Sequence, residues 1–255
     1  MPIFRTKDEY IFQRWSSQMA YALGFITADG SLSKNKRGAH FLEIQSVDRE
    51  IIYKIREVFK SNLAVGEYQL KGRGYKKRYR LQIESKKVFR DLGALGITPR
   101  KSKVVELPDI PAAFFSHFLR GYFDGDGCVN FCRYVQKGRR KPTIFLNCGF
   151  TSGSRKILSS IHKKLKKLGV VHGGTLHYHD RAHRLWFANR DSASLYRFMY
   201  RGIKDELFLS RKKQVFEKYL IPSGPLEQPG VLVSLSRRRS RVQIPYGPPV
   251  GSLRR

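Results

Sequence analysis

Two apolar stretches of similar sequence dominate the hydrophobic pattern of the chain, at residues 20–30 and 118–127. In each stretch the apolar positions cover almost the whole circumference of a helix, so we expect two buried helices. Each carries a glycine in its middle, Gly24 or Gly121, although glycine destabilises a helix interior by roughly 1 kcal/mol relative to alanine. Because small residues permit close helix packing, the pattern predicts that the two helices pack on each other.

Each apolar stretch ends in Asp-Gly, at Asp29-Gly30 and at Asp126-Gly127. Glycine is typical of a helix end, which places both carboxylates at the negative ends of helix dipoles. Two such carboxylates side by side would repel each other unless divalent cations lay between them and a phosphate, an arrangement suited to hydrolysis. One copy alone would indicate an ordinary turn, but two copies in matching frames favour a functional site.

Helical and strand periodicities recur in the same order after each stretch. Both halves read as αββαββα, and the interval from Asp29 to Asp126 is 97 residues. The expected elements of the first half are a helix at 17–28, strands near 31–36 and 39–46, a helix capped by Asp48, a hairpin at 63–83 and a helix capped by Ser85. Those of the second half are a helix at 112–124, strands at 128–135 and 143–151, a helix capped by Ser154, strands at 175–179 and 184–188, a helix capped by Asp191 and a last helix from Ser210.

Residues 22–30 and 119–127 resemble the two signature helices of a LAGLIDADG homing endonuclease in its single-chain, two-repeat form. The second copy is the closer match, because Asp124 holds an acidic position that is Thr27 in the first copy. The resemblance covers about residues 15–220. It implies an α+β fold of two pseudo-twofold-related repeats whose antiparallel sheets form a DNA-binding saddle.

The expected division has four parts, with Pro-containing residues 107–111 as the linker between the repeats. Residues 1–106 form the first repeat with an N-terminal arm, and residues 112–221 form the second. Residues 222–255 form a basic tail rich in proline and glycine, for which disorder is the default.

The chain carries a formal net charge of +30 and has a sequence pI of about 10.4. Such self-repulsion is tolerated best when the partner is a polyanion, which favours nucleic acid. A hydrophobic fraction of 41% is enough for a core. No apolar run reaches transmembrane length and the N-terminus is no signal peptide, so we expect a soluble intracellular protein with no membrane partner.

Three cysteines, Cys128, Cys132 and Cys148, form an odd set that indicates a reducing compartment. Cys128 and Cys132 fall in one predicted strand with even spacing, so both should lie on one face of it. No cluster of histidine or cysteine completes a zinc site, and we interpret these cysteines as core residues.

The resemblance implies a site-specific endonuclease that makes a metal-dependent double-strand break in double-stranded DNA as a pseudo-symmetric monomer. Asp29 and Asp126 would bind Mg²⁺, with Mn²⁺ as a substitute, and the carbonyls of Ala28 and Gly125 would complete the shell. The family also places a lysine and a polar residue near the attacking water in each half. By position the lysines are Lys101 and Lys212, and the polar candidates are Gln45 and Thr151.

Basic and polar side chains concentrate in the predicted hairpins, where most should contact phosphate and a minority should read bases. Any one of them could equally be a solvated hairpin tip. In the first half they are Lys34, Lys36, Arg37, Lys71, Arg73, Lys76, Lys77, Arg78 and Arg80. In the second they are Arg133, Gln136, Lys137, Arg139, Arg140, Lys141, His177, His179 and Arg184.

Other functions remain open at this point. The first is a nucleic-acid-binding protein on the same scaffold that has lost cleavage, either an intron maturase or a transcription regulator; pure binding would not require Asp29 and Asp126. An intein would need a terminal Cys or Ser and a closing His-Asn, whereas this chain starts Met1-Pro2 and ends Arg254-Arg255. A structural basic protein would not explain the paired Asp-Gly helices.

The tail holds six of the eleven prolines and six arginines with a single acidic residue. Its residues 240–245 can be back-translated to a string resembling the T-arm of a transfer RNA gene, which suggests that the reading frame runs into a neighbouring gene. We therefore expect deletion of residues 222–255 to leave DNA cleavage unchanged, measured over a range of salt concentrations. If the tail is instead a basic arm, deletion will lower affinity and flatten its salt dependence.

Overall fold

Each half of the chain folds as helix, two strands, helix, two strands, helix, and the second half adds one further helix at its end. The first half consists of α1 (Ser17–Asp29), β1 (Gly30–Lys34), β2 (His40–Ser46), α2 (Arg49–Val58), β3 (Gly66–Tyr68), β4 (Arg78–Glu84) and α3 (Lys86–Ala94). The second consists of α4 (Phe115–Asp126), β5 (Gly127–Tyr134), β6 (Thr143–Ser152), α5 (Arg155–Lys167), β7 (Thr175–His179), β8 (Ala182–Ala188), α6 (Asn189–Tyr200) and α7 (Ser210–Leu220). The predicted order of elements is confirmed in both halves.

The structure, a computed structural model, describes residues 6–69, 72, 76–135, 142–203 and 207–220. Single turns of 3₁₀-helix at Ile11–Gln13, Lys101–Lys103 and Ala112–Phe114 precede or follow the regular elements. Several sequence predictions fall outside the described residues. They concern the tail at 222–255 and the hairpin residues Lys71, Arg73, Gln136, Lys137, Arg139, Arg140 and Lys141.

The two sheets have the same strand order, β1-β2-β4-β3 in the first half and β5-β6-β8-β7 in the second, with antiparallel neighbours. Their registers also correspond, since Gln45 lies opposite Arg80 in one sheet and Thr151 opposite Arg184 in the other. The predicted α+β fold of two repeats is therefore confirmed, and equivalent positions can be compared between halves.

Each sheet packs one face against helices. Strand alternation places Leu42, Ile44, Leu81 and Ile83 on the inner face of the first sheet and Leu146, Cys148, Leu185 and Phe187 on that of the second, all of them in the core. Residues of opposite parity on these strands face outward. The described helices leave both outer faces uncovered, so the two sheets present open surfaces.

The cysteines divide between the two faces. Cys148 belongs to the core, as expected. Cys128 and Cys132 share one face of β5, also as expected, but it is the outer face, because Val129 between them points into the core. Cys128 is buried there and Cys132 is half-buried. The core interpretation is therefore wrong for Cys132.

Two of the predicted helix caps make other contacts. Ser85 caps α3 as expected, accepting from the amide of Val88 at 3.1 Å. Asp48 and Ser154 stand at the cap positions of α2 and α5 without a capping hydrogen bond. Asp191 lies inside the first turn of α6, and its carboxylate accepts instead from the backbone amide of Gly173 at 2.8 Å. Carboxylates at these positions thus serve longer-range contacts than a local cap.

The two apolar helices α1 and α4 meet at their central glycines. A β-carbon placed on Gly24 would lie 2.0 Å from the carbonyl oxygen of Phe118, and one placed on Gly121 would lie 2.0 Å from that of Tyr21. Only glycine permits this backbone separation, which accounts for its presence in both helices despite its cost. The predicted helix pair is confirmed, and the contact repeats itself under the pseudo-twofold relation.

Both helices run directly into the first strand of their half. Gly30 (φ −80°, ψ 152°) and Gly127 (φ −85°, ψ 160°) are extended, so the left-handed cap expected of a terminal glycine is absent from these two positions. Glycine is required for steric reasons instead, since a β-carbon on Gly127 would lie 2.4 Å from the carbonyl oxygen of Phe123. Each aspartate is therefore the last helical residue before a strand.

Replacing Gly24 with alanine should lower the free energy of unfolding by about 3 kcal/mol or more, because the new methyl group meets backbone that cannot move aside. Urea unfolding followed by circular dichroism measures the effect. Gly93→Ala in α3 is the matched control, since a β-carbon there meets nothing within 4 Å, and it should be neutral or stabilising by up to about 1 kcal/mol. Equal stabilities for both variants would contradict the close helix contact.

Candidate functional site

Asp29 and Asp126 come together at one end of the helix pair. A β-carbon placed on Gly125 would lie 3.4 Å from Oδ2 of Asp29, so the first aspartate touches the end of the second helix. Both side chains are partly exposed, and the charges of both act on the same buried groups, Lys101 and Tyr122. The structure thus brings together the two carboxylates that the sequence singled out.

Lys101 and Lys212 occupy equivalent positions beside these helix ends. Nζ of Lys101 donates to the carbonyl oxygen of Gly30 at 2.5 Å, and Nζ of Lys212 donates to that of Gly127 at 2.7 Å. Both lysines are buried, with 6% and 2% of their surface exposed. One ammonium group therefore lies beside the end of each of the two helices.

Lys212 also donates to the carbonyl oxygens of Phe123 and Asp124, at 2.7 and 2.9 Å, and lies 3.5 Å from that of Gly125. These are the last carbonyls of α4, of which that of Phe123 also accepts from the amide of Gly127, and a cation here opposes the negative end of the helix dipole. The lysine thereby offsets the unfavourable placement of the carboxylate at this helix end. It also engages the carbonyl of Gly125 that was predicted to bind metal.

Burial lowers the pKa of Lys212 to about 8, with partial opposition from Asp124. Burial likewise lowers the pKa of Lys101, against the opposing charges of Asp126 and Asp29. Both ammonium groups are held by carbonyl acceptors, which fixes their positive charge beside the helix ends.

The departure of the first repeat from the signature has a structural explanation. Thr27 donates its hydroxyl to the carbonyl of Leu23 at 2.7 Å, a bond within its own helix. Its counterpart Asp124 is buried and accepts from the hydroxyl of Tyr21 at 2.7 Å and the amide of Leu209 at 2.8 Å. Burial raises the pKa of Asp124. This carboxylate thus joins α1 to the segment before α7, and the replacement at Thr27 leaves Asp29 in place.

The segment that carries Lys212 is anchored to the opposite half. Arg211 donates to both carboxylate oxygens of Asp48, each at 2.7 Å, and the hydroxyl of Ser210 donates to Glu50 at 2.5 Å. The first half shows the reciprocal contact, because a β-carbon on Gly153 would lie 2.3 Å from the carbonyl oxygen of Ser102. We call these contacts the cross-braces. The residues of the first brace are 163 positions apart, so no local pattern could have indicated it.

Gln45 and Thr151 lie at equivalent strand ends. The amide of Gln45 donates to Glu43 at 2.5 Å, and its oxygen accepts from the hydroxyl of Tyr68. The backbone carbonyl of Thr151 accepts from the hydroxyl of Tyr122 at 3.3 Å. Ala28 is half-buried immediately before Asp29. By strand parity both polar candidates lie on the outer faces of their sheets, where the side chain of Gln45 contacts Glu43 and Tyr68.

The predicted DNA-contacting residues lie on the outer sheet faces, beside strand ends, on the helix-facing side of the strands, or outside the described residues. Arg78, Arg80, His177 and Arg184 lie on the outer faces of the sheets, and Lys36, Arg37 and Lys76 lie exposed beside strand ends. Lys34 and Arg133 share the helix-facing side of their strands, where Nζ of Lys34 sits 5.2 Å from the ring centroid of Phe89. Strand parity thus separates these two from the outward-facing arginines. Arg73, Lys137, Arg139 and Arg140 lie outside the described residues.

Within the described ranges, no group of three or more His, Cys, Asp and Glu side chains is arranged to hold a metal ion. Any cation at the two aspartates would need ligands from elsewhere, such as carbonyls, water or phosphate. Nor does any helix in those ranges have the length and apolar character needed to cross a bilayer.

A family model for the LAGLIDADG-like domain matches the chain twice, at residues 16–95 and 114–201. The chain belongs to the LAGLIDADG family. The two matches coincide with the two structural halves, and the signature helices are α1 and α4.

Solved structures of this fold cover most of the chain. The homing endonuclease I-WcaI bound to its DNA recognition sequence has a TM-score of 0.56 at 17% identity, covering 81% of this chain and 90% of that one. The LAGLIDADG meganuclease I-AabMI bound to uncleaved DNA has a TM-score of 0.53 at 14% identity, covering 81% and 89%. Homing endonuclease I-GzeII in complex with its DNA target has a TM-score of 0.51 at 13% identity, covering 80% and 88%.

The chain is also similar to part of the DNA-directed RNA polymerase subunit Rpo1C of Methanocaldococcus jannaschii. The two are 33% identical over 152 residues, which is 59% of this chain and 16% of that protein. At this coverage the similarity concerns a segment of the longer protein.

Lys212 should leave a signature in the pH dependence of stability. Its folded pKa of about 8 lies below the ordinary value of 10.5, so its unfavourable contribution is complete below pH 8 and disappears as pH rises towards 10.5. Relative to Lys212→Met, the wild-type free energy of unfolding should therefore rise across this window, by up to about 3 kcal/mol. Urea unfolding at several pH values measures this difference.

Lys218→Met is the control for the loss of one positive charge, because Lys218 is exposed on the same helix. This variant should follow the wild-type curve. If the free energies of unfolding of wild type and Lys212→Met changed in parallel with pH, the folded protein would not lower the pKa of Lys212.

Proposed function

We propose that this chain is a site-specific DNA endonuclease that makes a metal-dependent double-strand break at a long recognition site and acts as a monomer. The observation that carries the proposal is the convergence of Asp29 and Asp126 at one end of the helix pair, with a buried lysine beside the end of each helix. Two carboxylates held close together repel each other, and such a pair is suited to binding cations that also contact phosphates.

The residues at the helix ends fit Mg²⁺. Mg²⁺ keeps several waters and is usually bound through one or two carboxylates plus substrate phosphates, which agrees with two partly exposed aspartates and no larger acidic cluster in the described part of the chain. Asp29, Asp126 and the carbonyl of Ala28 would hold the ion. Once bound, it would polarise the phosphodiester and lower the pKa of water.

The protein's own residues would position the substrate and stabilise charge. Asp29 and Asp126, related by the pseudo-twofold, would each face one strand of the duplex. Lys101 and Lys212 would hold the helix ends in place and stabilise negative charge that develops on the phosphate. The outer sheet faces, with Arg80 and Arg184 nearest the aspartates, would lie along the major groove, which admits β-ribbons.

The net charge of +30 supports a polyanionic partner, since phosphate contacts supply most of the sequence-independent affinity for DNA. Among the similar structures named above, those of I-WcaI, I-AabMI and I-GzeII contain DNA. A binding protein without cleavage would have the same charge and sheet faces but no use for Asp29 and Asp126, so the experiment turns on these two residues.

Selection of cleaved sites from a randomised DNA library in Mg²⁺ should yield one long sequence. Asp29→Asn and Asp126→Asn should each reduce double-strand cleavage of that site by about 100-fold or more, because each removes a charged metal ligand. DNA binding, measured by mobility shift in Ca²⁺, should stay largely intact.

Asp109→Asn is the matched control, since this aspartate lies exposed in the linker away from the helix ends. It should cleave like wild type. Binding of a defined site with no cleavage by wild type in Mg²⁺ or Mn²⁺ would favour the binding protein, and undiminished cleavage by both aspartate variants would refute the proposed chemistry.

A further inference from the structure

On the outer faces of the two sheets, the side chains next to the aspartates are chemically similar in both halves. The side chains one row further out differ between the halves. The shared row consists of Gln45 and Arg80 in the first sheet and Thr151 and Arg184 in the second. We call the next outward-facing row the reading row. Its members are Ser31, Glu43 and Gln82 in the first sheet and Cys128, Gly149 and Trp186 in the second.

The reading row of the first sheet is polar throughout. Glu43 retains 22% side-chain exposure, receives the amide of Gln45 at 2.5 Å and lies 3.7 Å from a guanidinium nitrogen of Arg80. Gln82, directly opposite it, is exposed. Carboxylate, carboxamide and hydroxyl groups match the hydrogen-bonding edges of base pairs, such as the cytosine amino group for glutamate and adenine for glutamine.

The equivalent row of the second sheet has no charged group. The indole of Trp186 lies across Gly149, where a β-carbon would be 2.9 Å from its Cε3 atom. On the other side of Gly149 lies Cys128, which is buried. Half-buried Trp186 therefore presents a broad apolar surface where the first sheet presents Gln82.

The next outward-facing row of the second sheet is polar, with Asn130 opposite Asn147, so the apolar contrast is confined to the reading row. Cys132 lies opposite Phe145, a phenylalanine that is 37% exposed. Trp186 is thus the aromatic side chain of the reading row, and Phe145 lies two rows beyond it. In the major groove the apolar feature is the C5-methyl group of thymine.

We propose that the two halves read different base chemistry at equivalent distances from the cleavage centre. The first sheet reads hydrogen-bonding base edges through Glu43 and Gln82, and the second reads thymine methyl groups through Trp186. This inference rests on the proposed DNA-cleaving function and identifies the base class recognised by each half.

Replacement of thymine by deoxyuridine tests the inference directly, because it removes only the methyl group. In the site selected by the wild-type enzyme, the thymines of one half-site at a time are replaced, and binding is measured by mobility shift in Ca²⁺. Replacement facing the second sheet should weaken binding by about fourfold per contacted methyl, as expected for loss of one buried carbon. Replacement in the other half-site should have little effect.

Variants assign the effect to its side chain. Trp186→Ala should abolish the deoxyuridine sensitivity, and Trp186→Gln should move the selected base at that position from thymine towards a hydrogen-bonding partner. Circular dichroism and thermal melting establish that both variants fold. Gln82→Leu is the matched control, since it occupies the equivalent position in the first sheet; it should preserve deoxyuridine sensitivity in the second half-site and relax selectivity only in its own.

The outcomes separate this inference from the proposed function. If wild type selects and cleaves a site but deoxyuridine affects neither half-site, or affects both equally, the inference is refuted while the nuclease assignment stands. Sensitivity that persists in both Trp186 variants would also refute it. If wild type selects and cleaves no site, the proposed function fails first.

Discussion

The close contact between α1 and α4 is the constraint on which the rest of the structure depends. With Gly24 and Gly121 facing the backbone of the opposite helix, the two helices approach more closely than any side chain would allow. This approach brings the helix ends together, and with them Asp29 and Asp126. Since each helix continues directly into the first strand of its half, the same contact also sets the position of both sheets relative to the aspartates.

The close packing of the two helices also places two negative charges near each other at the helix ends. Two carboxylates at the negative ends of two neighbouring dipoles would oppose folding, and the chain answers with a buried ammonium group beside the end of each helix. Lys212 satisfies several terminal carbonyls of α4, whereas the contact of Lys101 runs to Gly30. The two halves therefore solve the same problem with similar but unequal hydrogen bonding, in keeping with Thr27 and Asp124 at equivalent positions.

Periodicity and repetition were enough to predict the architecture, because paired buried helices and alternating strands leave regular signals. The paired aspartates and the two lysines could also be predicted from the sequence, since each occupies the same place in both repeats. The faces of Cys132, Arg133 and Lys34 could be assigned only once the structure showed which side of each strand faces the core. Val129 and Leu32 mark that side. The cross-brace from Asp48 to Arg211 could not be predicted, because its partners are distant in sequence and its acid had a plausible local role as a helix cap.

The contact between Tyr21 and Asp124 bears on how the two repeats have diverged. Its hydroxyl and carboxylate come from different halves, and their counterparts under the pseudo-twofold relation are Phe118 and Thr27, which cannot form the same bond. Two copies of the second half would bury a carboxylate opposite phenylalanine, at a desolvation cost. The halves are thus complementary rather than interchangeable at this contact, because the hydroxyl comes from one half and the carboxylate from the other.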